Sequence, residues 1–266
     1  MIQNKEIEII DKYNNGLSIN KLSKEYGLDW HYIERMLIRN NVTLRKRYKI
    51  NETYFDYIDT PNKAYILGFL YADGGNTSNY DKKRYCITIT LKQSDVQILK
   101  DIKNEIGYEA PIKLREYNGN PIATFDICNK HIVLRLHELG IIPNKTLTLQ
   151  FPKWLDKNLY SHFIRGYFDG DGCITYRMRT TASQLQTTII TTKDMCDSII
   201  DIVSNECGIN VHSYNVGHKD CNNNIKTLSV YGNKQCKKFL DYIYQDVGLK
   251  LERKYKRYID WYYNNN

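Results

Sequence analysis

Two nine-residue stretches decide the fold: ILGFLYADG at Ile66–Gly74 and IRGYFDGDG at Ile164–Gly172. Both read as an apolar helix with a small residue every fourth position, followed by Asp-Gly. The spacing puts Gly68 and Ala72 on one helical face, and Gly166 and Gly170 on another, so two backbones can approach closely there. The glycine after each acid, Gly74 or Gly172, is expected to end its helix in the left-handed conformation. Asp73 and Asp171 then meet at one point, each at the negative end of its helix and facing a like charge. A hard divalent cation with oxygen ligands answers that arrangement, Mg²⁺ (or Mn²⁺) above all, and paired carboxylates hold such ions in phosphodiester chemistry. Read singly, either Asp-Gly is also an ordinary helix-ending turn. It is the second copy that favours a site.

Outside the nonapeptides, YFDYIDTPNKAY (Tyr54–Tyr65), LGIIPNKT (Leu139–Thr146), Phe151-Pro152 and HFIRGYFDGDG (His162–Gly172) complete a pattern. Over about Tyr54 to Tyr244 the chain resembles the LAGLIDADG homing endonucleases in their single-chain, two-motif form. The sixth motif position departs from internal symmetry, being Asp169 in the second copy and Tyr71 in the first. The resemblance implies metal-dependent hydrolysis of one phosphodiester in each DNA strand. Asp73 and Asp171, with the backbone carbonyls of Ala72 and Gly170, would hold the ions. It also implies an assisting lysine or glutamine near each scissile phosphate, at strand ends or strand-to-helix junctions, where Lys92, Lys130, Lys193 and Lys234 lie; taken singly, each reads first as a surface lysine.

The periodicity supports an α+β class. After the first motif, Tyr85, Ile87, Ile89 and Leu91 alternate with Arg84, Thr88, Thr90 and Lys92 as a half-buried strand. A helix over Asp95–Ile106 follows, then strands in which Ile112 and Leu114 alternate with Lys113 and Arg115, and Ala123, Phe125 and Ile127 with Thr124 and Asp126. A helix from Lys130 to Leu139 closes the copy. The second copy repeats the order with strands Ile174–Met178 and Gln184–Thr192, helix Asp194–Glu206, strands Val211–Val216 and Lys226–Tyr231, and helix Lys234–Tyr244. FDICNKHIVLRL and LSVYGNKQCKKFL align at Asn129-Lys130 and Asn233-Lys234 without help from the motifs. The expectation is two pseudo-symmetric αββαββα repeats forming a DNA-binding saddle. Its outer face would present Arg84, Thr88, Thr90, Lys113, Arg115, Thr175, Arg177, Arg179, Gln184 and Gln186, residue types suited to base edges. A polar outer face is also usual for any antiparallel sheet.

The first fifty residues read as a separate unit. Ile7, Ile10 and Tyr13 form one stripe ended by Gly16; Ile19, Leu22 and Tyr26 form a second closed by Gly27. Asp29 is placed to cap a third helix, Trp30–Asn40. This is the pattern of a helix-turn-helix whose last helix would offer His31, Tyr32, Arg35 and Arg39 to a major groove; a small helical bundle without a DNA role has the same pattern. Arg45, Lys46 and Arg47 follow as a basic segment suited to phosphate contact or to a solvated linker. The organisation read is 1–44 helix-turn-helix, 45–60 basic linker, 61–142 first repeat, 143–158 inter-repeat linker and 159–266 second repeat.

Composition bounds these readings. A formal charge of +8 over 266 residues suits a polyanionic partner. Seven cysteines without a Cys-x-x-Cys pair are expected to be reduced, mostly buried thiols, with neither disulfide framework nor zinc site. No apolar run reaches membrane length, and the Asn-, Lys- and Glu-rich start is unlike a signal peptide. The expectation is a monomeric protein of a cytoplasm, an organelle or a phage-infected host interior, encoded by a mobile element and acting on duplex DNA at a long, asymmetric site. Intron RNA is a further candidate ligand, and an inactive maturase or transcription regulator on the same scaffold is the alternative. A small-molecule phosphate enzyme would need a glycine-rich phosphate loop, which the sequence lacks.

Overall fold

The computed structural model describes residues 2–44, 48–178, 183–216 and 224–264. The chain divides into two compact units, Met1–Tyr48 and Lys49–Asn266.

In the first unit, α1 (Ile2–Asn14), α2 (Ile19–Tyr26) and α3 (Trp30–Arg39) close on a core of Ile9, Tyr13, Leu22, Ile33, Met36 and Leu37. Ser18 caps α2 by accepting from the Lys21 amide, and left-handed Gly27 (φ 62°) ends it. Asp29 caps α3, accepting from the amides of His31 (2.9 Å) and Tyr32 (3.2 Å). The stripe on α1 differs from the sequence reading. Ile9 and Tyr13, one turn apart, are buried, Ile10 only packs against them, and Ile7 is 57% exposed. A helix rich in isoleucine offers several i, i+3/i+4 registers, and packing selects one of them.

In the second unit, Thr60 caps α4 (Pro61–Asp73), whose Pro61 sits in the first turn where no amide donor is needed. Then come β1 (Gly74–Asn76), β2 (Ile87–Lys92), α5 (Val96–Glu105), β3 (Lys113–Tyr117), β4 (Asn120–Ile127) and α6 (Lys130–Glu138). The series recurs as α7 (Tyr160–Asp171), β5 (Gly172–Met178), β6 (Ser183–Thr192), α8 (Lys193–Cys207), β7 (His212–Asn215), β8 (Ile225–Tyr231) and α9 (Asn233–Tyr244), with α10 (Glu252–Asn264) added. The sheets match position for position, β1-β2-β4-β3 and β5-β6-β8-β7, with antiparallel neighbours throughout. One hydrophobic core runs through both repeats, joining Tyr65, Phe69, Phe125 and Leu136 of the first to Phe163, Phe168, Leu185 and Phe239 of the second.

Five features lay outside or against the sequence reading. β1 is three residues of Gly-Gly-Asn, too short to show alternation, and pairs through Gly74 opposite Ile89. α10 follows the point at which the repeat pattern closes. β3 is exposed at every position and Leu114 is 57% exposed, because an edge strand can alternate without burying either face. The expectation of reduced thiols is corrected by a disulfide between Cys86 and Cys128. These residues flank the Ile87–Ile127 pair of β2 and β4, a neighbourhood set by strand register that spacing along the chain does not reveal. Tyr54 and Phe55, in the stretch read as linker, are buried in the core of the second unit.

Candidate active site at the paired helix ends

The site rests on the contact between α4 and α7. A Cβ on Gly68 would lie 2.1 Å from the Phe163 carbonyl oxygen, and one on Gly166 would lie 2.0 Å from that of Tyr65. Phe163 and Tyr65 each precede their own nonapeptide, so the two contacts are related by the internal pseudo-twofold. Nearer the helix ends, a Cβ on Gly170 would meet the Ala72 Cβ at 2.2 Å and Asp73 Oδ2 at 3.2 Å. The structure thus brings Gly68, Ala72, Gly166 and Gly170 into one seam, with the acids at its end.

The terminal glycines act differently from expectation. Gly74 (φ −78°, ψ 117°) and Gly172 (φ −77°, ψ 160°) are extended, not left-handed. Glycine is needed there for space: a Cβ would lie 2.6 Å from the Leu70 carbonyl oxygen at Gly74, and 2.5 Å from the Phe168 oxygen at Gly172. The chain passes directly from helix into β1 or β5 without a loop, which fixes both carboxylates on regular backbone.

Burial, then the charge of Asp171, pushes the Asp73 carboxyl up to about 6, against the pull of Lys254 and Lys145. Burial also raises Asp171, opposed by the same lysines and by the Tyr167 hydroxyl. Both ammonium groups are buried. Lys145 Nζ donates to the Ala72 carbonyl (3.2 Å), and Lys254 Nζ to those of Phe168 (2.8 Å) and Gly170 (2.9 Å). Burial lowers Lys145 and brings Lys254 down to about 8. Each motif therefore ends in a carboxylate whose preceding carbonyl is held by a buried lysine.

Lys145 and Lys254 were not among the lysines singled out from sequence. A signal existed, since each follows the last helix of its repeat in a Gly-apolar phrase, LGIIPNK and VGLKLERK, but with 38 Lys and Arg residues only burial marks them. The four lysines read from sequence are exposed or have other partners. Lys92 is exposed at the end of β2 and Lys234 on α9, Lys130 lies 5.8 Å over the Tyr85 ring, and Lys193 pairs with Asp197.

Of the outer-face residues, Thr88 donates to Asp126 (2.8 Å), which also holds Lys113 (2.7 Å). Thr90 and Arg115 are exposed, and Arg84 precedes β2, bridging to Asn79. Thr175 pairs with Gln186 across β5 and β6; Gln186 is 6% exposed and Gln184 half-buried. Arg177 lies in β5, and Arg45, Lys46, Arg47 and Arg179 are outside the described residues. On α3, His31, Tyr32, Arg35 and Arg39 are exposed; Glu6 of α1 accepts from Arg39 (2.8 Å) and Tyr32 (3.3 Å), and Arg35 Nε donates to the His31 carbonyl.

Comparison with known proteins bears on this geometry. Residues 158–244 match the model of the LAGLIDADG-like domain. The second repeat is thus similar to the LAGLIDADG-like domain. Solved structures sharing the chain's fold include the LAGLIDADG homing endonucleases I-GzeII in complex with its DNA target (TM-score 0.51, 13% identity, covering 76% of this chain and 88% of that one) and I-LtrWI bound to target DNA (0.51, 14%, 79% and 89%). The meganuclease I-SmaMI bound to uncleavable DNA is a third (0.53, 13%, 77% and 89%). No curated protein matches the sequence. In the LAGLIDADG frame Asp171 is the eighth motif position. The internal symmetry carries that position to Asp73, in the repeat the family model leaves unmatched.

Among the described residues no three His, Cys, Asp or Glu side chains form a cation cage. The donors that fit a hard ion are the two carboxylates and the carbonyls of Ala72 and Gly170, with solvent and phosphate oxygens completing the shell, as is common for Mg²⁺. A titration follows. The folded state favours protonated Asp73, so stability from this group is present at low pH and lost as pH rises through about 6. In chelator, Asp73→Asn should therefore be more stable than the parent at pH 7.5 by about 1–2 kcal/mol. Thermal melts should show the gain disappearing below about pH 4.

Proposed function

We propose that the protein is a site-specific DNA endonuclease that cuts both strands of a long, asymmetric duplex target, and that it works as a monomer because both half-sites are carried on one chain. The observation that carries this reading is the duplicated unit at the seam, a carboxylate beside a carbonyl held by a buried lysine. Asp73 and Asp171, with the Ala72 and Gly170 carbonyls, are the groups to hold divalent ions, which would supply an activated water and neutralise the leaving oxygen. The lysines would place positive charge at each scissile phosphate in a partly dry site, where charge acts more strongly than in water. Lys254 Nζ, at about 8, can hold or release a proton near neutral pH. Gln184, Thr90, Arg115 and their neighbours would read base edges from the sheet faces.

The first unit is proposed as a second reader of DNA, with His31 and Arg35 entering a major groove and Arg45, Lys46 and Arg47 contacting phosphate. In the full chain, Arg35→Ala is expected to weaken DNA binding by about 5- to 100-fold and to leave the cleavage rate at saturation unchanged; gel-shift and single-turnover assays measure the two.

The function is tested with a DNA fragment joining the two genomic flanks of the gene's host element. Double-strand cutting in Mg²⁺, with binding alone in Ca²⁺, is expected. Salt-sensitive binding without cutting in either ion would replace the enzyme with a regulator, and intron RNA would be the next ligand. No described helix is long and apolar enough to cross a membrane.

A further inference from the structure

The sixth motif position differs between the repeats, yet both residues there reach the same part of their repeat. Tyr71 is buried and its hydroxyl donates to the Leu139 carbonyl. Gly140 (φ +103°) gives it room, since a Cβ there would lie 2.6 Å from the hydroxyl oxygen. Asp169 is fully buried and accepts from the Leu251 amide (2.7 Å), the Tyr244 hydroxyl (2.7 Å) and the Tyr65 hydroxyl (2.8 Å). Leu139 leads into the segment that carries Lys145, and Leu251 into the one that carries Lys254.

Each lysine then reaches back beside the residue that tethers its segment. Lys145 bonds the carbonyl of Ala72, next to Tyr71, and Lys254 bonds those of Phe168 and Gly170, on either side of Asp169. The contact is a donor to a carbonyl in one repeat and an acceptor from an amide in the other, so the chemistry is inverted while the geometry is shared. One bond, from Tyr65, crosses between the repeats.

Resting on the nuclease reading above, we propose that Tyr71 and Asp169 are positioning residues. Each tethers the lysine-bearing segment of its own repeat and so sets the cleavage of one DNA strand. Neither touches the phosphate; each acts through its lysine.

The test joins two measurements. Hydrogen exchange on the DNA-free, metal-free full chain should show Tyr71→Phe loosening residues 139–147 and leaving 249–258 as in the parent. Asp169→Leu, which keeps volume without an acceptor, should do the reverse. Asp169→Asn, whose carbonyl oxygen can still accept from Leu251 while its amide donates to Tyr244, should restore protection. Tyr71→Phe should slow one strand by on the order of tenfold, so that nicked circles accumulate from a supercoiled plasmid carrying the cleavage site and a linear duplex labelled at one end identifies the slowed strand. Asp169→Leu should slow the other strand. Equal slowing of both strands, or unchanged exchange in Tyr71→Phe, overturns the proposal. Should Asp169→Leu fail to fold, Tyr71→Phe decides alone. Should the parent cut no DNA, the nuclease reading fails and exchange still decides whether the tethers exist.

Discussion

Asp73→Asn and Asp171→Asn, made singly, should each lower the single-turnover cleavage rate by about 10³-fold or more while DNA affinity stays within about threefold. Asparagine keeps the shape and one oxygen of each side chain but removes the charge that makes it a ligand for a hard cation. The fold does not depend on that charge, because burial pushes both carboxyls upward. The variants should therefore be at least as stable as the parent, which separates a chemical loss from a structural one. The Lys145 and Lys254 bonds run to backbone carbonyls and are untouched by either change. Rates from end-labelled duplex in Mg²⁺, beside gel shifts in Ca²⁺, make the comparison. A variant that still cuts both strands at the parent rate would remove the carboxylate pair from the mechanism.

The largest effect on stability should come from one methyl group in the seam. In Gly166→Ala the new Cβ would stand 2.0 Å from the Tyr65 carbonyl oxygen and 2.8 Å from the Phe69 amide nitrogen. Both neighbours are helical backbone and cannot rotate aside, so α4 and α7 must separate. Their separation opens the core that both repeats share. The expected cost exceeds about 4 kcal/mol, above the usual range for overpacking, and the second unit should lose its cooperative melt. Gly68→Ala should behave alike, its Cβ lying 2.1 Å from the Phe163 oxygen. Gly75→Ala is the control. Its Cβ would be 3.6 Å from the Thr88 oxygen, ordinary contact, so a change within about 1 kcal/mol is expected. Calorimetry of the three variants orders them.

What could be read from sequence divides along physical lines. The helix pair was legible because close backbone approach demands small residues at fixed spacing, and the cap at Asp29 because an unsatisfied amide calls for a short oxygen side chain. Strand alternation located β2, β4 and β6. It located β3 as well but misread its burial, since Leu114 has the periodicity of a core residue on an edge that covers nothing, and it failed at β1, where glycines carry no pattern. The buried lysines were hidden for another reason. Lys145 and Lys254 differ from their many neighbours only in what surrounds them, and those surroundings are assembled from α4, α7 and the segments after α6 and α9. The Cys86–Cys128 pair likewise depends on strand register.

The seam between α4 and α7 also has a mechanical meaning. Backbone touches backbone at Gly68 and Gly166 with no flexible side chain between them, so the two carboxylates are mounted on something close to a single rigid bracket. The sheets are free to accumulate substitutions on their outer faces without altering the distance across that bracket. In a nuclease of this build, recognition can drift from one target to another while the stagger of the two cuts, and with it the length of the single-stranded ends handed to repair, stays constant.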